Sequence, residues 1–426
     1  MVYRKRKTIG IIIICVIILS LTGCAETQKQ EEPAKLTICT ERLYQEQIES
    51  FVKVWEKMND GVDIEVLAIA PDVSSGEAQI TKLRTEIMSG SGPDIFILSC
   101  SGQVLEEGPL PLFTDPEKAM RAEVFLPLDD YIANAQYINP DGWNQKVMDA
   151  GKTEEGQLIL PIAYTYYAYA FRTEDLDDGR KLPETLTELF QCYETAVMQN
   201  LLPFDQIWFC HTFGKTADYA NGTLAFTEDE LLERMEQAVE WAAKIQTEGQ
   251  QETVPIIAGG EVGKTFWSEV SRNAAEEEAI LVIPNDEDGV TACVNLYAAV
   301  NRNTSAPEQA FSFLDFIFSD EIMTGAGIQD ESSGKYFLAG NSLPLLSGIS
   351  VNTKAMQEIV KNQEAKGWYE KIENKINNVR FYSMADHEMA DLHMNCADLY
   401  NQQLTGDNMY EAVSRTYERI EMQMAE

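Results

Sequence analysis

Between Leu36 and Leu98 the spacing of apolar residues alternates between a strand pattern and a helix pattern, and no other stretch restricts the fold as much. Leu36, Ile38 and Cys39 mark a short apolar strand. Ile48, Phe51, Val52 and Trp55 then fall at i, i+3, i+4, i+7, which places them on one helix face. Asn59-Asp60-Gly61 ends that helix and 62–68 reads as a second strand. Ile80, Leu83 and Ile87 form another apolar stripe, stopped by Ser89-Gly90-Ser91-Gly92-Pro93. In the third strand, 94–98, four consecutive apolar residues imply burial on both faces. Strands and helices alternating at this spacing require a parallel sheet with helices packed on it.

The remainder is less regular. Residues 102–156 are punctuated by Pro and Gly, and 158–171 is a long apolar and aromatic run of the kind that can cross between two lobes. Leu186, Leu189, Phe190, Tyr193 and Val197 suggest one helix. Thr227 and Glu230 form a capping box ahead of Leu231, Met235, Ala238, Ala242 and Ile245. Residues 279–283 read as a buried strand and 292–300 as a second extended run. Ser305 and Glu308 suggest another capped helix, carrying Ala310, Phe313, Leu314 and Ile317; a last helix starts near Asn408.

The N-terminus fixes the compartment. Arg4, Lys5, Arg6 and Lys7 precede an apolar stretch over 9–19, too short for a spanning helix, and Leu21-Thr22-Gly23-Cys24 follows. This resembles a bacterial lipobox, with cleavage before Cys24 and a lipid on that cysteine; an uncleaved anchor helix is the other reading. Residues 1–23 are then a signal peptide and 24–33 a polar tether. The formal charge of -36 becomes more negative once the four N-terminal cations leave, and such a surface repels nucleic acid and anionic lipid. The cysteines from Cys39 onward (Cys100, Cys192, Cys210, Cys293, Cys396) are scattered, with no C-x-x-C pair, and read as buried thiols with their disulfide state open.

Two motifs point elsewhere. Residues 258–265 (AGGEVGKT) resemble a degenerate P-loop between a strand and a helix, against a glycine-rich surface loop as the plain reading. His387-Glu388 begins like a zinc-protease motif, but Asp391 stands four residues after His387 and His393 six after it, on a different helix face. No G-x-S-x-G elbow is present. No metal or cofactor is implied.

Five phrases in order carry a resemblance: 80–98 (ITKLRTEIMSGSGPDIFIL), 126–131 (LPLDDY), 156–176 (GQLILPIAYTYYAYAFRTEDL), 298–320 (AAVNRNTSAPEQAFSFLDFIFSD) and 404–412 (LTGDNMYEA). Together they resemble the extracellular solute-binding protein family 1, the sugar-binding lipoproteins of ABC importers. The resemblance implies an α/β, two-lobe, type II periplasmic-binding-protein-like fold, with a hinge crossed three times and a cleft between the lobes. The crossings would lie near 163–168, 293–296 and 343–347. Lobe one would be 34–163 with 296–345, and lobe two 164–295 with 346–426. It further implies a monomeric, non-catalytic carrier on the outer face of the cytoplasmic membrane, which delivers a small solute to ABC permease subunits. Carbohydrate is the favoured solute, because flat aromatic faces suit pyranose rings. A surface glycan hydrolase and the binding part of a surface sensor are the competing readings.

Ligands of open α/β sheets sit beyond the carboxyl ends of the strands. That rule nominates Glu41, Arg42 and Tyr44 after the first strand and Ser99 and Ser101 after the third. The first crossing adds Tyr164 and Tyr166. Trp208, His211 and Trp267 stand where similar proteins place second-lobe groups, and Asp386 and His387 precede the last helices.

Overall fold

The computed structural model describes residues 34–59, 61–100, 111–176, 182–192, 195–198, 207–248, 254–273, 278–329, 335–340, 348–395 and 406–425. Strands β1 (Ala34–Glu41), β2 (Val62–Ile69) and β3 (Ile95–Ser99) are joined through helices α1 (Gln45–Met58) and α2 (Val73–Met88). β1 is central and parallel to both neighbours, as the alternating pattern requires. Helix α1 buries Ile48, Phe51, Val52 and Trp55, and α2 buries Ile80, Leu83 and Ile87. The Asp72 carboxylate opens α2 by accepting from Ser75 N–H at 2.9 Å. Ile95 to Leu98 are all buried.

The chain then leaves this sheet along a nearly continuous strand. β4 (Ile159–Thr165) belongs to the first sheet and β5 (Tyr167–Arg172) to a second, with Tyr166 alone between them. The second sheet is antiparallel: β5 lies between β6 (Ile256–Glu261) and β7 (Glu278–Val282). β8 (Val290–Val300) brings the chain back, every one of its residues buried. Its far half pairs antiparallel with β3 and its middle with β4, whereas Val290 to Val294 pair with β10 (Ile376–Phe381). With β9 (Ile349–Ser350) the first sheet reads β9-β4-β8-β3-β1-β2. Two lobes are thus joined by β4–β5 and by β8, a two-lobe α/β fold of type II. The segment 343–347 lies outside the described residues.

Helix α3 (Glu228–Glu248), α4 (Lys264–Asn273), α5 (Pro307–Ile317), α6 (Gln363–Lys375), α7 (Met384–Asn395) and α8 (Gly406–Ala425) pack around the two sheets. The capping box ahead of α3 is present, with Glu230 N–H to Thr227 Oγ1 at 3.2 Å and Thr227 N–H to Glu230 Oε2 at 2.7 Å. Other expectations need correction. The single helix over 186–197 is two short ones, Leu186–Gln191 and Thr195–Met198, the first opened by a capping box of Thr185 and Glu188. Helix α5 is opened by Pro307, not by Ser305, and its N-cap Ala306 makes no side-chain cap. Proline suits that first position because its ring presets φ and the missing N–H would be unsatisfied there anyway. Helix α8 starts at Gly406, two residues before Asn408.

The glycine-rich 258–265 stretch is neither a phosphate loop nor a surface loop. Ala258, Gly259 and Gly260 lie inside β6, paired to Ala170, Tyr169 and Ala168. A Cβ at Gly259 would stand 2.5 Å from the Tyr169 ring, so glycine is what lets β6 lie beside β5. Only Val262 and Gly263 separate β6 from α4, and the Lys264 N–H is spent on the Gly348 carbonyl. Cys39, Cys100 and Cys293 are buried free thiols, Cys210 is buried and Cys192 half-buried.

Candidate functional site

Where the lobes meet, groups from both are buried together. Glu41, the last residue of β1, accepts from Ser99 N–H at 2.9 Å and Ser99 Oγ at 3.0 Å through one oxygen, Oε1. Its Oε2 is buried without a hydrogen-bond partner among the described residues, as are the hydroxyls of Thr40 and Tyr297. Burial pushes the Glu41 carboxyl up to about 7 against the Ser99 donors. β3 and β10 meet end to end alongside β8: Cys100 N–H bonds the Asn295 carbonyl and Tyr382 N–H the Val294 carbonyl.

From the second lobe come Tyr382, His211 and Glu261. His211 Nδ1 is 3.1 Å from the Thr291 carbonyl and its Nε2 is 2.6 Å from the Tyr382 hydroxyl. A carbonyl only accepts, so Nδ1 carries the proton and Nε2 accepts from Tyr382. Burial, aided by Arg380, holds His211 down to about 3, which keeps the ring neutral. The Tyr382 oxygen also lies 3.4 Å from Glu261 Oε1. With its own proton on His211, it meets Glu261 best when that carboxyl is protonated, and desolvation pushes Glu261 up to about 7. Glu261 is nonetheless surface-accessible, as expected of the wall of a recess.

Beside them Arg380 donates to Asp386 Oδ2 at 2.5 Å and to the Cys210 carbonyl at 3.1 Å. Asp386 Oδ2 also accepts from Ser383 N–H and Oγ, both at 3.0 Å, which fixes the start of α7. From the first lobe, Asp115 accepts from the Tyr219 hydroxyl at 3.0 Å, and Glu117 is pushed up to about 7 by burial in spite of Arg380 nearby.

A second cluster follows from strand alternation, which sends Tyr164 and Tyr166 away from Thr165 and Tyr167. Asn144 Nδ2 donates to the Tyr164 hydroxyl at 3.1 Å and to Glu373 Oε2 at 2.8 Å. The Trp267 and Tyr369 rings meet edge to face at 5.2 Å. Burial pushes Glu373 up to about 7.

A family profile for bacterial extracellular solute-binding proteins matches residues 42–324, well over half of the chain. The chain belongs to that family. Solved structures share the fold at low identity. A periplasmic oligogalacturonide binding protein from Yersinia enterocolitica is 13% identical with a TM-score of 0.57, over 92% of this chain and 100% of that one. The sugar-binding protein MalE from Xanthomonas citri is 12% identical with a TM-score of 0.58, over 92% and 98%. The substrate-binding protein Lmo0181 from Listeria monocytogenes, solved with cycloalternan, is 15% identical with a TM-score of 0.53, over 92% and 99%. No curated protein matches the sequence. Among the described residues no helix is long and apolar enough to cross a membrane, and no cluster of His, Cys, Asp and Glu could hold a metal ion.

Within this family fold the nominated residues part company. Glu41, Ser99, His211 and Asp386 gather in the first cluster, and Tyr164, Tyr166 and Trp267 in the second. Arg42 is exposed and bonds Gln45. Tyr44 is buried at the start of α1. Trp208 packs against Phe209, Trp241 and His393 inside the second lobe. His387 lies 3.9 Å from Asp391 on its own helix. Ser101 and Cys24 lie outside the described residues. Sequence reasoning missed Glu261, Tyr297, Arg380, Tyr382, Tyr369 and Glu373. Arg380 left a trace, a cation between Val379 and Phe381 in a strand; Glu261 was hidden inside the glycine-rich motif.

Proposed function

We propose that this family member captures a carbohydrate outside the cell and delivers it to ABC permease subunits. In this reading it works as a monomer held to the outer face of the cytoplasmic membrane by a lipid on Cys24, with 34–163 plus 296–345 and 164–295 plus 346–426 closing over the sugar. The observation that carries it is the pair of buried polar atoms at the lobe junction that have no partner among the described residues: Glu41 Oε2 and Tyr297 OH. Buried polar groups are almost always hydrogen-bonded, and sugar hydroxyls supply both donors and acceptors. The junction is rich in aromatic rings: Tyr167 and Tyr382 pack on His211, and Tyr297 and Phe381 meet edge to face at 5.8 Å. The sugars named for the structural neighbours support the same class.

A thermal-shift screen of residues 25–426 against mono- and oligosaccharides, amino acids, peptides and metal ions tests this. A sugar at 100 times its dissociation constant adds roughly 2.7 kcal/mol to native stability, and chromatography should recover it unchanged. A shift confined to non-sugar solutes, or a sugar consumed during incubation, would sink the carrier reading.

A further inference from the structure

The charged groups around the junction are unequal in number and in freedom. Carboxylates come from every side: Glu41 from β1, Asp115 and Glu117 from the segment after β3, Glu261 from β6 and Asp386 from α7. Among the described residues the cations nearby are Arg380, Lys118, Arg121 and Arg42, the last following Glu41 and bonding Gln45 at the surface. Arg380 is bound to Asp386 and the Cys210 carbonyl, and the Lys118 ammonium lies 3.0 Å from the Gln423 carbonyl. Arg121 is exposed. Among the described residues Glu41 Oε2 has no hydrogen-bond partner, and the buried Tyr297 hydroxyl has none either.

We propose that the junction selects a donor-rich glycan that carries no negative charge, and rejects uronic acids. This rests on the carbohydrate reading above. A hydroxyl or ammonium gives Glu41 Oε2 the donor it lacks, whereas a second carboxylate brings acceptors only. It also meets the unpaired charge of Glu41 in a site partly shut off from water, where like charges repel far more than in solution. Among the described residues the buried guanidinium at the junction, Arg380, is already committed to Asp386 and is not available for the bidentate pair that recognises a carboxylate best.

The test uses matched ligands that differ in charge, measured by calorimetry on the soluble chain at pH 8. Trigalacturonate is compared with its methyl ester, and maltotriose and galactotriose are compared with the glucosamine trimer and its N-acetylated form. The expected result is binding by at least one neutral or amino glycan, with an acidic counterpart weaker by about a hundredfold or more. Glu41→Gln and Glu261→Gln should each narrow that gap about tenfold. An acidic sugar that binds as tightly as its neutral counterpart overturns the charge selection. So does a gap that neither variant narrows. Failure of every sugar, neutral, amino or acidic, overturns the carbohydrate reading itself, which is a different result from an acid that binds.

Discussion

Arg380 and Asp386 are 6% and 3% exposed and lie 2.5 Å apart, so each is the other's closest compensation, with Glu117 also near Arg380. Removing one partner strands the other. For Asp386→Asn the guanidinium cannot lose its proton, and a buried uncompensated charge costs about 3–5 kcal/mol. The reverse change, Arg380→Met, strands the Asp386 carboxylate and should cost a similar amount near neutrality. Replacing both, Arg380→Met with Asp386→Leu, leaves no stranded partner of the pair but still frees the Ser383 and Cys210 groups it held, so it should cost clearly less than the two single losses added together. The assay is urea unfolding followed by far-UV dichroism and tryptophan emission, which Trp208, Trp241 and Trp267 report from the second lobe. A loss below about 1 kcal/mol for Asp386→Asn, or a double variant whose loss equals the sum of the singles, would refute the reasoning.

Two further outcomes follow from the junction. Glu41, Glu261 and Glu373 are raised from an ordinary value near 4.5 to about 7 by desolvation, so their share of stability is full below 4.5 and lost as pH rises through 7. His211 and His393 are lowered from 6.5 to about 3 and about 4, so theirs is present above 6.5 and lost as pH falls toward those values. The melting temperature should peak at mildly acid pH, and a curve that climbs steadily from pH 6 to 8.5 would contradict this. At the hinge, Gly348 has φ +93°, and a Cβ there would stand 2.8 Å from Asn295 Oδ1 and 2.9 Å from Ala163 Cβ. Gly348→Ala should cost about 2 kcal/mol or more through strain and contact together; a urea midpoint equal to wild type would show that the hinge relaxes freely.

The first lobe was legible because its information is local. Period-3.6 stripes such as Ile48, Phe51, Val52 and Trp55 mark the faces of helices, and an all-apolar 95–98 marks a strand buried on both faces. The crossings were legible for the same reason, since 158–171 and 292–300 are too apolar and too long for surface loops. The 258–265 stretch was not legible. Its glycines look the same whether they wrap a phosphate or make room for Tyr169, and only the pairing of β6 with β5 separates the two. The site divides along the same line. Glu41 and Ser99 could be nominated because they end strands. His211 with Tyr382 spans 171 residues of sequence, and Tyr382 with Glu261 spans 121, so no local pattern records either meeting. Trp208 was nominated as an aromatic of the second lobe, but an aromatic's need for packing leaves the same sequence mark as its use on a sugar.

That long-range part of the site also explains why closure should wait for ligand. Glu41 Oε2 and Tyr297 OH are both buried without partners among the described residues. Each such atom costs on the order of 1–3 kcal/mol relative to its hydrated state. Water satisfies them when the lobes stand apart, and closing over nothing removes that water. Two such atoms near the upper end of the range reach the roughly 5.5 kcal/mol that carries a two-state equilibrium from 1:99 to 99:1. A solute whose hydroxyls meet those atoms removes the penalty in the closed form alone, which is the differential affinity a ligand needs to drive a conformational change. A solute that fills the space with apolar surface, or with a further carboxylate, leaves the penalty in place and the lobes apart.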